Sequence, residues 1–583
     1  MRSLRVVTDL PELLAQKLAR AFADVAGSPA DPAVRRSDRA DYQADGALRL
    51  AKQLGRPPRE VAAEVLERAD LGELVAAAQI AGPGFVNLTV SDAALSALVE
   101  QMAADTERLG VATTPEPERV LVDYSGPNVA KEMHVGHLRS TIIGDALSRL
   151  LTHLGHDVVR QNHIGDWGTP FGMLIEHMLD LGAGETAHEL SVGDLGVFYR
   201  GARQKFDADP DFADRARRRV VALQGGDAET LALWRLLVEE SERYFAAVYD
   251  RLSVLLTPAD IAGESSYNDQ LGPVIDELIR LGLARESEGA LCVFPDGFTG
   301  RDGGPLPLIL RKSDGGFGYD TTDLAALRHR VHDLKARRLV YITDLGQRLH
   351  FEMIFQAGRE AGWLGAEARA EFQGFGIVLG PDRKRLRTRS GDSVKLIDLI
   401  EEAVRRAAAV VAEKAPHLSA EEQADVARIV GIGALKYADL SNDRVKDYVF
   451  DWDRMLSFDG NTAPYLQYAH ARIHSVFRRG EIDPASVAGA KVVLADPAEH
   501  ALALRLAEFE GVLHKAVEEV ELHRIAGYLF ELATAFTAFY ERCPVLRAED
   551  DRTRTSRLVL CDVTARVLAT GLSLLGIAAP TRM

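Results

Sequence analysis

Residues 124–140 place the tightest constraint on what this chain can fold into. They read Tyr124-Ser-Gly-Pro-Asn-Val-Ala-Lys-Glu-Met-His-Val-Gly-His-Leu-Arg-Ser140 and lie between a short apolar run and a long amphipathic one. Before them, Arg119-Val-Leu-Val-Asp-Tyr124 is rich in β-formers, and Pro127 then drives the chain out of regular structure, so a buried strand is expected. After them, Leu138, Ile142, Leu147, Leu150, Leu151 and Leu154 fall largely on one helical face, and Gly155 stands where a left-handed helix stop belongs. A second β-like run, Asp157-Val-Val-Arg160, follows at once. Strand, turn, helix and strand in this order make a doubly wound unit, and its ligand belongs at the turn.

The residues at that turn suit a phosphate. Backbone N–H groups at a helix start, together with the positive end of the helix dipole, favour an anion, and Gly136 lets the backbone approach closely. His134 and His137 are three apart and so are neighbours on the first helical turn, where an imidazole donates to a phosphoryl oxygen without a fixed charge. Lys131 supplies that charge. Two histidines near a helix start serve equally well as caps or surface residues, and the longer context is what favours a ligand.

That longer context resembles a family. The HxGH turn is similar to the HIGH signature of class I aminoacyl-tRNA synthetases, and the string from Asp123 to Thr141 resembles the arginyl-tRNA synthetases, whose Pro-Asn-x-Ala-Lys lead-in other members lack. Gly126 stands where the family usually has Ser or Ala.

Composition agrees with an enzyme of several domains. A chain of 583 residues holds three or four domains by the usual length prior. No apolar run reaches the ~20 residues that span a bilayer, and the amino terminus lacks the apolar core of a signal peptide, so a cytoplasmic protein is expected. Cys292, Cys543 and Cys561 form no CxxC pair, which indicates neither a disulfide scaffold nor structural zinc. A net charge of −17 argues against a protein that coats nucleic acid. Its distribution matters more: between Gly380 and Lys395, six cations (Arg383, Lys384, Arg385, Arg387, Arg389 and Lys395) face Asp382 and Asp392, a local surplus of four on which a tRNA can dock.

Taken in order, residues 1–112 read as a small α+β unit. Leu14, Leu18 and Phe22 share a helical face behind Pro11, and Gly82-Pro-Gly-Phe-Val-Asn-Leu-Thr-Val90 reads as a turn into an alternating strand. The unit resembles the tRNA-contacting domain that the family carries ahead of its core, with Asp45 in place of the usual Asn. A linker, Thr113-Thr-Pro-Glu-Pro-Glu118, leads to a Rossmann-like catalytic domain over 119–395 with a helical insertion. Within it, Asn162-His-Ile-Gly-Asp-Trp-Gly-Thr-Pro-Phe-Gly172 reads as a pocket wall, and residues 175–255 as packed helix. A strand is expected over 374–379.

The resemblance also implies a substrate. Gly263-Glu-Ser-Ser-Tyr267 and Tyr319-Asp-Thr-Thr-Asp323 match the family's arginine-pocket motifs. A guanidinium is a flat fork of five donors, and holding it against lysine requires carboxylates in its plane plus a ring or phenol, the groups of Glu264, Asp323 and Tyr319. A lone Glu or Asp is ordinarily a solvated surface residue, and only the joint match points elsewhere. By resemblance Gln347, Asn128 and His137 complete arginine binding. ATP falls to Lys131, His134, Gly136, His137, Arg385, Arg387 and Arg389, with His134, His137, Lys131, Arg385 and Arg387 as the catalytic set. The run Arg385-Leu-Arg-Thr-Arg-Ser-Gly391 takes the place of the class's KMSKS loop, with Arg385 and Thr388 where two lysines are common; Lys131 is the lysine that many arginyl enzymes carry instead.

The remainder reads as helical: a connecting segment over 396–457 and an all-α anticodon-binding bundle over 458–583. Tyr465, Tyr468 and Arg472 are candidates for stacking on or touching tRNA bases, although core packing suits either tyrosine as well. The expectation is thus a multidomain arginyl-tRNA synthetase that uses ATP with magnesium, L-arginine and tRNA, without a protein-bound metal, as a monomer. A small-molecule nucleotidyltransferase would share the turn but need neither the guanidinium motifs nor the carboxyl bundle. A catalytically silent tRNA-binding relative would keep that bundle and lose phosphate or pocket residues.

Overall fold

Alternation of buried and half-buried side chains along Phe85–Val90 makes this run the inner strand of an antiparallel sheet near the amino terminus. The computed structural model describes residues 9–182, 195–300, 303–313, 315–387 and 394–583. The chain folds as two compact units. One joins Met1–Thr114 with Ala407–Tyr437 and Asp453–Met583; the other joins Pro115–Arg406 with Ala438–Trp452. Among the described residues no helix is long and apolar enough to cross a membrane.

In the first unit, strands β1 (Val34–Arg36), β2 (Tyr42–Ala44), β3 (Val75–Ala81) and β4 (Phe85–Val90) form an antiparallel sheet in the order β1-β2-β4-β3. The helix Leu10–Ala26 has Pro11 in its first turn and buries Leu14, Leu18 and Phe22, as its periodicity required. Long-range polar contacts tie this region to the helical bundle of the same unit. Tyr42 donates to Glu508 at 2.7 Å, and His500 lies between Asp41 and Asp92. In the bundle, Leu529, Leu532, Phe536 and Phe539 of the helix His523–Arg542 are fully buried. All three cysteines are buried and free.

The second unit is organised by a parallel sheet of β5 (Arg119–Asp123), β6 (Asp157–Gln161), β10 (Arg338–Tyr341) and β11 (Arg369–Phe372), in the order β11-β10-β5-β6. The chain leaves β5 for β6 on one side and returns to β10 on the other, so the order switches between β5 and β10. Open parallel sheets bind ligands beyond the carboxyl ends of their strands at such a point. Register puts those ends level: Asp123 pairs with both Gln161 and Tyr341, and Tyr341 with Phe372. Buried Arg330 holds three of them together, donating to Asp123 at 2.8 Å and Gln161 at 2.7 Å beneath the Tyr341 ring.

In the same unit the helices Thr169–Leu181, Leu195–Ala208, Pro210–Gln224 and Ala228–Arg251 pack on one another, and β7 (Ala284–Ser287), β8 (Ala290–Val293) and β9 (Leu308–Arg311) form a small antiparallel sheet. One expectation needs correcting. The strand expected over 374–379 is only β12 (Val378–Leu379), and it pairs with β13 (Tyr448–Val449), not with the main sheet. Gly376 explains the interruption, since its N–H donates to Arg444 and an added Cβ would meet the Lys446 backbone at 2.8 Å.

Candidate active site

Val135–His153 is helical and almost wholly buried, and its first turn opens onto a cavity of about 500 Å³ between the ends of β5 and β10. His134 is the helix N-cap: its Nδ1 accepts the Gly136 N–H at 3.0 Å, while the His134 N–H is accepted by His137 Nδ1, also at 3.0 Å. The two histidines therefore form a reciprocal capping box. Capping and ligand binding prove compatible here. With each Nδ1 used as an acceptor, the neutral tautomer carries its proton on Nε2, so each ring keeps one N–H to donate. Burial keeps both rings neutral. It lowers His134 with help from Arg385 and Lys131, and it pushes His137 down to about 3 with help from His134 and Lys131. Gly136 serves the ring more than the backbone, since a Cβ there would meet His134 at 2.8 Å.

The turn before this helix is held from several directions. Ser140 accepts the Ser125 N–H at 2.9 Å and donates to Ile342 O at 2.6 Å, which ties the turn to the end of β10. Ser125 Oγ lies 2.7 Å from the Tyr249 hydroxyl, Asn162 accepts the Gly126 N–H at 3.0 Å, and Ser241 accepts the Ala130 N–H at 2.9 Å. Ser241 and Tyr249 belong to the helix Ala228–Arg251, which the sequence presented as packing alone. Positive φ at Ser125 (74°) and Ala130 (59°) is strain that these bonds sustain.

Of the expected phosphate-binding residues, His134, Gly136, His137 and Arg385 line the cavity. Lys131 does not: its Nζ lies 4.6 Å from the centroid of the Tyr199 ring, a cation–π contact with the helix Leu195–Ala208. Arg387 is exposed, and Arg389 and Thr388 lie outside the described residues.

Of the expected arginine-pocket residues, Gln347 lines the cavity beside His163, Asp344 and Phe351. Asn128 is exposed and bridges by its backbone to Gly165. Asp323 accepts His350 Nε2 at 2.7 Å and has His163 Nε2 at 3.8 Å from its other oxygen. Tyr319 stands largely exposed, its ring 5.2 Å from that of His350. Glu264 is mostly buried, and burial with the charges of Asp323 and Asp166 pushes its carboxyl up to about 8. Asp166 is itself raised by burial although Ser265 donates to it from backbone and side chain. Glu264, Asp323, Tyr319 and Asn128 do not line the cavity, although His163, which does, faces Asp323; the raised carboxyls of Glu264 and Asp166 are an arrangement a cationic ligand completes.

Sequence reasoning missed His163, His350, Asp166 and Arg330 in this region. For His163 and Asp166 a signal was available in the composition of residues 162–172, which marked a pocket wall without naming its polar members. In the first unit, Tyr468 is exposed at the start of the helix Ala463–Gly480, Tyr465 packs against Phe530, and Arg472 lies 4.2 Å over the Tyr540 ring.

Comparison with known proteins decides the family. Residues 98–452 match the family model described as "tRNA synthetases class I (R), catalytic domain", which covers more than half of the chain. The chain belongs to the arginyl-tRNA synthetases. Residues 8–90 match the arginyl-tRNA synthetase N-terminal domain, and residues 466–583 the DALR anticodon-binding domain. This synthetase is similar to the arginine–tRNA ligase of Thermobifida fusca, 56% identical over 553 residues and 95% of each chain. It is 53% identical to that of Frankia casuarinae over 577 residues, 97% of this chain and 96% of the other. Its fold follows the crystal structure of arginyl-tRNA synthetase from Plasmodium falciparum, with a TM-score of 0.85 at 28% identity over 98% of this chain and 99% of that one. The synthetase is thus an arginine–tRNA ligase of class I, and its reaction uses ATP.

Proposed function

We propose that the cavity at the ends of β5 and β10 activates arginine, with the triphosphate at the His134–His137 turn and the guanidinium among Glu264, Asp323 and Tyr319. Asn128, Gln347 and His137 hold the amino and carboxylate end of arginine between them. One carboxylate oxygen attacks the α-phosphorus of ATP, the bond to the bridging oxygen breaks, and pyrophosphate leaves. A ribose hydroxyl of the terminal adenosine of tRNA then attacks the arginyl carbonyl, and AMP leaves, its phosphate taking up the hydroxyl proton. Little covalent work falls to side chains, and rate comes from placement and from donors aimed at developing charge.

The observation that carries this reading is the pair of fixed Nε2–H donors at a helix start, each locked by a backbone N–H on Nδ1. Neutral donors strengthen as phosphoryl charge grows without holding pyrophosphate permanently. Arg385 and Arg387 supply fixed charge from the loop after β12, together with Arg389, and magnesium enters with ATP as its counter-ion. Lys131 reaches the phosphates after leaving the Tyr199 ring.

The division of labour follows the sequence: 1–112 for tRNA contact, 119–395 for catalysis, 396–457 as connector and 458–583 for the anticodon, where Tyr468 faces tRNA and Tyr465 and Arg472 lie on the same helix. The enzyme works as a cytoplasmic monomer. Charging bulk tRNA with each of the twenty amino acids tests the reading: arginine alone is transferred, and charging by any other amino acid at a comparable rate contradicts it.

A further inference from the structure

His350 follows Gln347 by three residues and was absent from the expected pocket, yet it touches two of that pocket's members. It lies in the first turn of the helix Arg348–Glu360. Its Nε2 is 2.7 Å from Asp323 Oδ2, and its ring centroid is 5.2 Å from that of Tyr319. On the other side, its Nδ1 is 3.5 Å from Asp320 Oδ1. Asp320 is anchored in turn, since its Oδ2 accepts the Ile309 N–H of β9 at 2.7 Å. The Phe351 ring, 5.2 Å away, adds an apolar contact. From the wall after β6, His163 faces Asp323 Oδ1 at 3.8 Å, and its own Nδ1 donates to Ala262 O at 3.0 Å.

A carboxylate only accepts, so the proton of the short contact belongs to His350 Nε2. The consequence is geometric. The terminal torsion of an Asp side chain is broad, and an unheld carboxylate turns freely about it. Recognition of a guanidinium by two parallel bonds requires the carboxylate plane to be set in advance. A donor fixed on one oxygen sets that plane and leaves acceptor sites on both oxygens. Bracketing by two carboxylates also raises the proton affinity of the His350 imidazole, against the lowering effect of its burial.

We propose that His350 is a positioning residue of the arginine pocket: through its bond to Asp323 it sets the plane of the carboxylate that receives the guanidinium, and Asp320 aligns its ring. The inference rests on the reading of Asp323 as part of the guanidinium clamp. Glutamine at position 350 keeps an N–H donor near Nε2 but no ring; phenylalanine keeps a ring against Tyr319 and Phe351 but no donor.

The test is to measure arginine KM and ATP KM for tRNA charging with the full-length enzyme and its His350→Phe, His350→Gln and Asp323→Asn variants. His350→Phe raises arginine KM about tenfold or more, the scale of losing a buried hydrogen bond to a charged group, with ATP KM held within about twofold. His350→Gln restores most of that loss. The inference is overturned if His350→Phe matches the parent while His350→Gln fails, because ring packing is then what counts. It is equally overturned if both variants raise the two KM values together. Asp323→Asn separates the two levels. An unchanged arginine KM there removes the pocket reading itself, whereas a raised value beside a parent-like His350→Phe removes only the role of His350.

Discussion

His137 Nδ1 accepts the backbone N–H of His134 at 3.0 Å, so a residue proposed to meet the phosphates also completes the capping box of its own helix. The double role separates stability from chemistry. Glutamate at the third helical position is an ordinary capping-box partner that accepts the same N–H and, when ionised, offers no donor. His137→Glu is therefore expected to melt within a few degrees of the parent while arginine activation falls about 10²- to 10³-fold or more, the scale of removing one donor to a developing oxyanion. Circular dichroism melts and pyrophosphate exchange with tRNA present check both halves.

Glu264 gives the site a proton signature. Burial, with Asp323 and Asp166, raises its carboxyl from 4.5 to about 8, so it is largely protonated at neutral pH in the empty enzyme. Its folded pKa lies above its unfolded value, so the stability it contributes is full below pH 4.5 and lost as pH rises through about 8. A guanidinium favours the ionised form. Arginine binding near pH 7 is thus expected to release protons, with affinity rising towards pH 8, and Glu264→Gln removes that component. Titration calorimetry in buffers of different ionisation enthalpy measures it.

Lys131 rests on the Tyr199 ring, outside the cavity wall. If it must reach the triphosphate, Lys131→Ala loses arginine-dependent pyrophosphate exchange even with tRNA present, by about 10²-fold or more for a charge acting on the phosphates. Exchange at the parental rate would show that the lysine serves only its contact with Tyr199.

Tyr468 is exposed on the helix Ala463–Gly480, whereas Tyr465 packs against Phe530. Base stacking is worth about 1–3 kcal/mol per ring, so Tyr468→Ala is expected to raise the tRNA KM by about 5- to 100-fold and to leave arginine and ATP KM values in place. Steady-state charging at varied tRNA concentration checks the split.

What the sequence revealed was local. The β-rich run before Pro127 and the leucine spacing after it specified β5 and the helix Val135–His153, because both signals lie within a few residues of what they form. His134 and His137 were visible for the same reason. The supports of the turn were hidden because they arrive from far along the chain: Tyr249 is 124 residues from Ser125, and Arg330 is 169 from Gln161. The strand expected over 374–379 failed through a tertiary demand, the approach of the 444–447 backbone to Gly376, which local propensity does not record. His350 was passed over because one histidine in a helical turn has no spacing partner, and its meaning comes from Asp323 and Asp320 on another helix.

The central claim is that two groups of side chains do different work, with phosphate held at the histidines of the cavity and guanidinium at the carboxylates near His163. The most direct measurement is the pair of KM values, for arginine and for ATP, in tRNA charging by Glu264→Gln. The account predicts an arginine KM raised about tenfold or more, in line with loss of one charged partner of a buried pair, and an ATP KM within about twofold of the parent. An equal rise in both, or a change confined to ATP, would contradict it.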